Sequence, residues 1–345
     1  MRRAARSVGP KGAGSGDPAR GKTAGPRWIA GVDIGGTNLR VGLVPFGGGR
    51  PAEVMKERTC ARLGPAHVVA RVAAMLADVA GGVDPGSVAG IGVGAPGPVD
   101  RKAGMVLRTP NLGWRNVPAR DLIGEAAGLP VVLDNDANCA AYGEWWQGAG
   151  RGADRLVAVT LGTGIGGGIV IGGDIYHGAS DAAGEVGHMS VDFAGRLCAC
   201  GSRGCVEAYA SGPGIAARAA EGLEAGADSV LGARDGKDAR ITARTVCEAA
   251  AAGDRYATGI LAEAARILAV AVANLVNVFN PDVIVIAGGV AAAGDRLFTP
   301  LVREVRRRAF PSAVAACRIV PAALSEAAGV IGAAGMFKRT VYGSV

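Results

Sequence analysis

Residues 28–44 read WIAGVDIGGTNLRVGLV and residues 156–168 read LVAVTLGTGIGGG. In each, an apolar run enters a glycine-rich bend and a second run leaves it, the pattern of two strands joined by a tight turn. The copies stand about 130 residues apart, an internal repeat that predicts a duplicated two-part architecture with a ligand held between the parts. A third glycine pair, Gly288-Gly289, follows the apolar run Val283 to Ile286. Consecutive backbone N–H groups at such strand ends cradle phosphate without needing a side-chain charge.

Outward from the bends, Pro65 to Val79 has helical apolar spacing and Val88 to Val93 reads as a short buried strand. Pro130 to Leu133 is a further strand leading into Asp134-Asn135-Asp136. Glu263 to Phe279 predicts a long buried helix stopped by Asn280-Pro281, and Ala327 to Phe337 a terminal helix whose small residues allow close packing. Glu221 to Arg240 is polar and glycine-rich, a surface connection.

The chain has 345 residues, 49% of them hydrophobic, enough for two cores. Of its net charge of +7, six units fall in the first 27 residues, where Arg2, Arg3, Arg6, Lys11, Arg20, Lys22 and Arg27 face only Asp17. The body is therefore nearly neutral, with no basic groove for nucleic acid. Residues 1–27 are expected to be a disordered basic leader, and they lack the apolar stretch of a secretory signal. The most apolar segment, Ile267 to Phe279, is interrupted by Asn274 and Asn277 and is too short to span a bilayer. Seven cysteines, an odd number dominated by one loop, fit a reducing compartment. The expectation is a cytoplasmic protein with neither membrane nor nucleic acid as partner.

The densest chemical signal is His188 with Cys198, Cys200 and Cys205. Three thiols and an imidazole form a closed tetrahedral set, which Zn²⁺ occupies where its role is structural. Glu185 and Glu207 bracket the cluster, so a metal there would fix two carboxylates at once. Around the bends, Asp33 is placed to hold a hydrated Mg²⁺. Gly35, Gly36, Thr37, Thr163, Gly164 and Gly166 are candidates for phosphate oxygens, and Gly288 and Gly289 for the floor under a nucleotide. Neither a Walker loop nor the Rossmann glycine fingerprint is present. Phosphoryl transfer also needs a base for the acceptor hydroxyl. Asp134 and Asp136 both qualify by position, and either could instead cap the helix beginning near Ala137.

Together these segments resemble the ROK family (repressor, open reading frame, kinase), particularly its bacterial glucokinases. The likeness runs from Trp28 to the C-terminus. It rests on Asp33-Ile34-Gly35-Gly36-Thr37, Gly94 to Asp100, Asn111-Leu112-Gly113-Trp114, Asp134 to Asn138, Gly162 to Gly168, Gly184 to His188 and the cysteine loop. The resemblance implies the actin-like, hexokinase-like (ribonuclease H-like) duplicated α/β fold. Its parts would be residues 28–134 joined by the terminal helix 326–345, and residues 135–325 carrying the zinc loop 188–205. It implies ATP-dependent phosphorylation of a hexose, with Mg²⁺, a structural Zn²⁺ and a homodimer. Asp136 matches the family's catalytic base. Gly97, Asn111, Asn135, Glu185, His188 and Glu207 match its sugar contacts, His188 being also a zinc ligand. The cysteine loop contains no histidine, as in the glucokinase form, so glucose is the expected substrate, with mannose, N-acetylmannosamine or fructose as alternatives. The family also contains sugar-responsive repressors with a DNA-binding helix-turn-helix ahead of the body. The glycine- and proline-rich leader here does not read as one. A sugar-binding protein without catalysis is the remaining alternative.

Overall fold

The computed structural model describes residue 25 and residues 27–233, 240–343 and 345. The leader read from the sequence lies almost wholly outside the described residues, as do residues 234–239 of the expected polar connection.

Strand β1 (Trp28–Ile34) turns back antiparallel into β2 (Asn38–Pro45), which pairs with β3 (Met55–Arg58). Helix α1 (Pro65–Ala80) then crosses to β4 (Val88–Ala95), parallel to β1. A small antiparallel sheet follows, made of β5 (Val99–Asp100), β6 (Met105–Thr109) and β7 (Trp114–Val117). Helix α2 (Ala119–Ala127) leads to β8 (Val131–Asn135), parallel to β4. After α3 (Asp136–Gln147) the plan repeats, with β9 (Arg155–Leu161), β10 (Ile165–Ile171) and β11 (Asp174–Ile175) antiparallel in turn. Helices α4 (Glu207–Ala210), α5 (Gly212–Glu224), α6 (Ala243–Ala251) and α7 (Arg255–Phe279) precede β12 (Val283–Ala287), parallel to β9. Finally α8 (Asp295–Arg308) and α9 (Pro311–Ala316) connect to β13 (Arg318–Pro321), parallel to β12, and α10 (Ala328–Tyr342) ends the fold. The sheet orders β3-β2-β1-β4-β8 and β11-β10-β9-β12-β13 are the same topology twice. The repeat seen in two glycine bends thus extends to whole sheets.

Because helices cover both faces of each sheet, its central strands are continuous apolar runs. Along β9, Val157, Val159 and Leu161 face an outer core with α5 to α8, whereas Leu156 and Ala158 face a middle core. In β1, Ala30, Val32 and Ile34 point outward toward α1, and Ile29 points to the middle. That middle layer is α3 and α10, which pack between the two sheets. The helices cross backbone to backbone: a Cβ on Gly332 would overlap the Cys139 carbonyl, and one on Gly143 the Ala328 carbonyl. Glu144, 1% exposed, ties the same crossing by accepting the backbone N–H groups of Ala149, Ala323 and Leu324 at 2.8 to 3.0 Å.

Helix α7 begins eight residues before the expected start, capped by the Asp254 carboxylate on Ala257 N–H at 2.7 Å. At 25 residues the whole helix, longer than the Ile267–Phe279 stretch judged too short, reaches the length and composition of a membrane span. Twelve of its residues are buried, so here it serves as the central helix of the outer core.

Candidate active site

The acids of the site sit where parallel strands end. In register, Asp33 of β1 lies beside Gly94 of β4, which lies beside Asp134 of β8. The next residue, Asn135, caps α3, its Oδ1 accepting from Ala137 N–H at 2.8 Å and Asn138 N–H at 3.2 Å. The cap is therefore neither aspartate that the sequence left open.

Asp134 and Asp136 have opposite environments. Asp134 is 1% exposed and its oxygens are fully engaged. Oδ1 accepts from Asn135 N–H at 2.7 Å and from Asn138 Nδ2 at 2.9 Å. Oδ2 lies 2.8 Å from His177 Nε2 and 2.7 Å from Arg101 Nε, the latter an ion pair off the line of a hydrogen bond. Among the described residues Asp136 has no cationic partner; its Oδ1 accepts from Ala137 N–H at 2.8 Å. Burial, reinforced by the charge of Asp33 and more weakly by Glu185, pushes its pKa up to about 6 against those backbone hydrogen bonds. Asp33 is also raised by burial, with Arg40 Nη1 at 3.2 Å partly compensating.

The missing side chains of three glycines bring the two halves to Asp136. A Cβ on Gly94 would stand 3.4 Å from Asp136 Cα, one on Gly166 would stand 3.0 Å from Ala137 Cβ, and one on Gly97 would touch the Asn135 amide at 2.9 Å. Asn111 packs against Gly36 in the first bend, which Thr59 supports by donating its hydroxyl to the Gly35 carbonyl at 2.6 Å. Thr37 and Thr163 are exposed at the two bends. Gly288, at φ +92°, packs on Leu161 at the foot of the second bend, and Gly212 N–H donates to the Gly162 carbonyl at 2.9 Å. The glycines at the ends of β9 and β12 therefore form one backbone surface.

His188, Cys198, Cys200 and Cys205 come together with all four donor atoms within 4.8 Å of one another. Cys198 Sγ is 3.8 Å from His188 Nδ1 and Cys200 Sγ is 3.7 Å from Cys205 Sγ, edges suited to a tetrahedron with metal–sulfur bonds near 2.3 Å. Nδ1 faces the thiols, while Nε2 is turned toward Glu185 at 4.0 Å. Two residues past Cys205, Glu207 Oε2 accepts from Ile165 N–H at 2.8 Å, joining the cysteine loop to the second bend. One Glu207 oxygen is thereby committed to backbone.

Sequence reading missed Arg101, His177, Thr59 and Arg40. Isolated basic or hydroxyl residues carry no motif, and only the fold brings them to the strand ends.

The ROK family profile spans residues 29–340. The chain belongs to the ROK family. It is 39% identical to a glucokinase of Halalkalibacterium halodurans over 91% of this chain and 96% of that one. The structure of a ROK family glucokinase from Streptomyces griseus in complex with glucose and AMPPNP is similar at a TM-score of 0.76, with 38% identity, covering 90% of this chain and 98% of that one. A ROK family transcriptional regulator, a homologue of the E. coli MLC protein, is similar at a TM-score of 0.80 and 28% identity, covering 90% of this chain and 77% of that one. The fold is that of the actin-like sugar kinases.

Proposed function

We propose that this ROK protein, an ATP-dependent hexose kinase, phosphorylates glucose at its 6-hydroxyl with Asp136 as general base. The hydroxyl oxygen attacks the γ-phosphorus, its proton passes to Asp136, and ADP leaves. The carrying observation is the contrast between neighbouring acids: Asp134 is held by three hydrogen bonds and the Arg101 ion pair, whereas Asp136 meets no cation among the described residues and is raised to about 6, in the range useful to a base near neutrality.

Asn111, Gly97, Asn135, Glu185, His188 and Glu207 are assigned to the sugar. The bends at Gly35-Gly36-Thr37 and Thr163 to Gly166, with Gly288 and Gly289, are assigned to ATP. Mg²⁺ fits beside Asp33, because Asp33 and Asp136 crowd negative charge that Arg40 offsets only at Asp33 among the described residues; when bound it would neutralise phosphate charge. Zn²⁺ fits the closed donor set of the cysteine loop and stiffens the segment bearing Glu185 and His188. Glucose is preferred because the loop ligands include no histidine between Cys198 and Cys205. The same reading divides the chain into 28–134 with the terminal helix and 135–325, and places it as a homodimer in the cytoplasm.

A coupled ADP-release assay over a sugar panel tests the proposal. Glucose should exceed mannose, fructose and N-acetylmannosamine by about tenfold or more in kcat/KM, since an unpaired buried polar group costs roughly 1–3 kcal/mol. Asp136→Asn should lose about 10² to 10⁴ in rate while still binding glucose. The similarity to a transcriptional regulator supports a second reading, which specific binding of a DNA site without ATP turnover would favour.

A further inference from the structure

We propose that Arg101, Asp134, His177 and Asp181 form a positioning brace that sets the spacing between the base-bearing turn and the Glu185–His188 segment. The proposal rests on the kinase reading of Asp136 above. Arg101 follows β5 of the first half, whereas His177 and Asp181 lie in the loop between β11 and the Val186–His188 turn of the second half. Arg101 holds both sides: its Nε is 2.7 Å from Asp134 Oδ2, its Nη1 is 3.6 Å from Asp181 Oδ1, and its backbone N–H donates to Asp181 Oδ2 at 3.3 Å. His177 makes the second link, from Nε2 to Asp134 Oδ2 at 2.8 Å.

None of the four is assigned a place on substrate, yet each is one step from a residue that is. Asp134 adjoins Asn135 and Asp136, and its Oδ1 fixes the Asn135 N–H and the Asn138 side chain in the first turn of α3. Asp181 is four residues before Glu185 and adopts φ +57°, a left-handed conformation that aspartate takes up more readily than most residues with a side chain. That conformation presents its carboxylate to both the Arg101 backbone and guanidinium. A buried carboxylate with two donors from within its own turn and two basic side chains from elsewhere is a joint, and at its far end Arg101 also holds Asp181. Since reacting groups misplaced by about 1 Å can lose on the order of 10²-fold in rate, the brace should act on turnover more than on ATP binding.

The test compares the full chain with His177→Ala, His177→Gln and Arg101→Met, measuring glucose-dependent kcat, KM for ATP, melting temperature and zinc content. Glutamine carries its amide nitrogen where the imidazole has Nε2, so it can restore the donor. The expected result is a loss of about tenfold or more in kcat for His177→Ala and Arg101→Met, with KM for ATP and zinc content unchanged. His177→Gln should recover most of the turnover. Turnover in both His177→Ala and Arg101→Met within twofold of the parent overturns the brace, as does a His177→Gln protein that melts like the parent yet is as slow as the alanine variant. The parent's own turnover judges the kinase reading separately. Should the parent bind glucose without turnover, that reading fails, and calorimetric glucose affinity decides the brace: about tenfold weakening by alanine with recovery by glutamine supports it, and equal affinities overturn it.

Discussion

Asp33 at the end of β1 and Asp136 at the start of α3 both meet Gly94, Asp33 as its register partner and Asp136 with its Cα 3.4 Å from where a Gly94 Cβ would stand; after burial, the charge of Asp33 is the next cause raising Asp136. Two acids held close in a buried site cannot both ionise freely. Burial and this neighbouring charge together raise Asp136.

Activity should fall about tenfold per pH unit below about 6, where Asp136 takes up its proton and can no longer accept one from the sugar. Above that pH the rate should level. A pH profile of kcat/KM checks this, and a rate still undiminished at pH 5 would contradict the assignment.

The same shift predicts a stability gain from a catalytic loss. The folded pKa of about 6 exceeds the ordinary 3.8, so the penalty of ionising Asp136 is absent below pH 4 and complete above pH 6. Asp136→Asn should therefore be more stable than the parent by about 1–3 kcal/mol at pH 8. The difference should vanish toward pH 4. Denaturant melts at both pH values measure it.

Cys200→Ser should reduce zinc content and weaken glucose binding together, because the cysteine loop anchors His188 and, through Glu207, the Ile165 turn. Four protein donors leave no open position for substrate chemistry. Elemental analysis alongside calorimetry tests the coupling; protein purified without chelator that contains no zinc would sink it.

Gly332→Ala should destabilise the fold by about 1–3 kcal/mol or more, since its methyl group would enter the Cys139 carbonyl at the crossing of α3 and α10. Glu144→Ala should cost about as much, by stripping three backbone N–H groups of their acceptor. Thermal melts read both. Zinc content should stay at the parent level in each, because neither position touches the cysteine loop.

The glycine bends at Gly35 and Gly164, the cysteine cluster and the acidic run Asp134 to Asp136 were legible because each is local: a turn, a ligand spacing or a strand end is written in adjacent residues. That local signal determined the strands on either side of each bend, the duplication and the candidate zinc ligands. Position and spacing left Asp134 and Asp136 equivalent and only the family resemblance pointed to Asp136, since two carboxylates two residues apart differ only in what packs around them. Tertiary structure separated them by delivering Arg101 and His177 to Asp134 and only backbone to Asp136. It also extended the expected buried helix, Glu263 to Phe279, back to Arg255, where the Asp254 cap starts α7 beyond the apolar stretch that periodicity could read. Periodicity records which residues prefer burial; only the packed chain decides against what they are buried, and hence which acid is engaged by basic side chains.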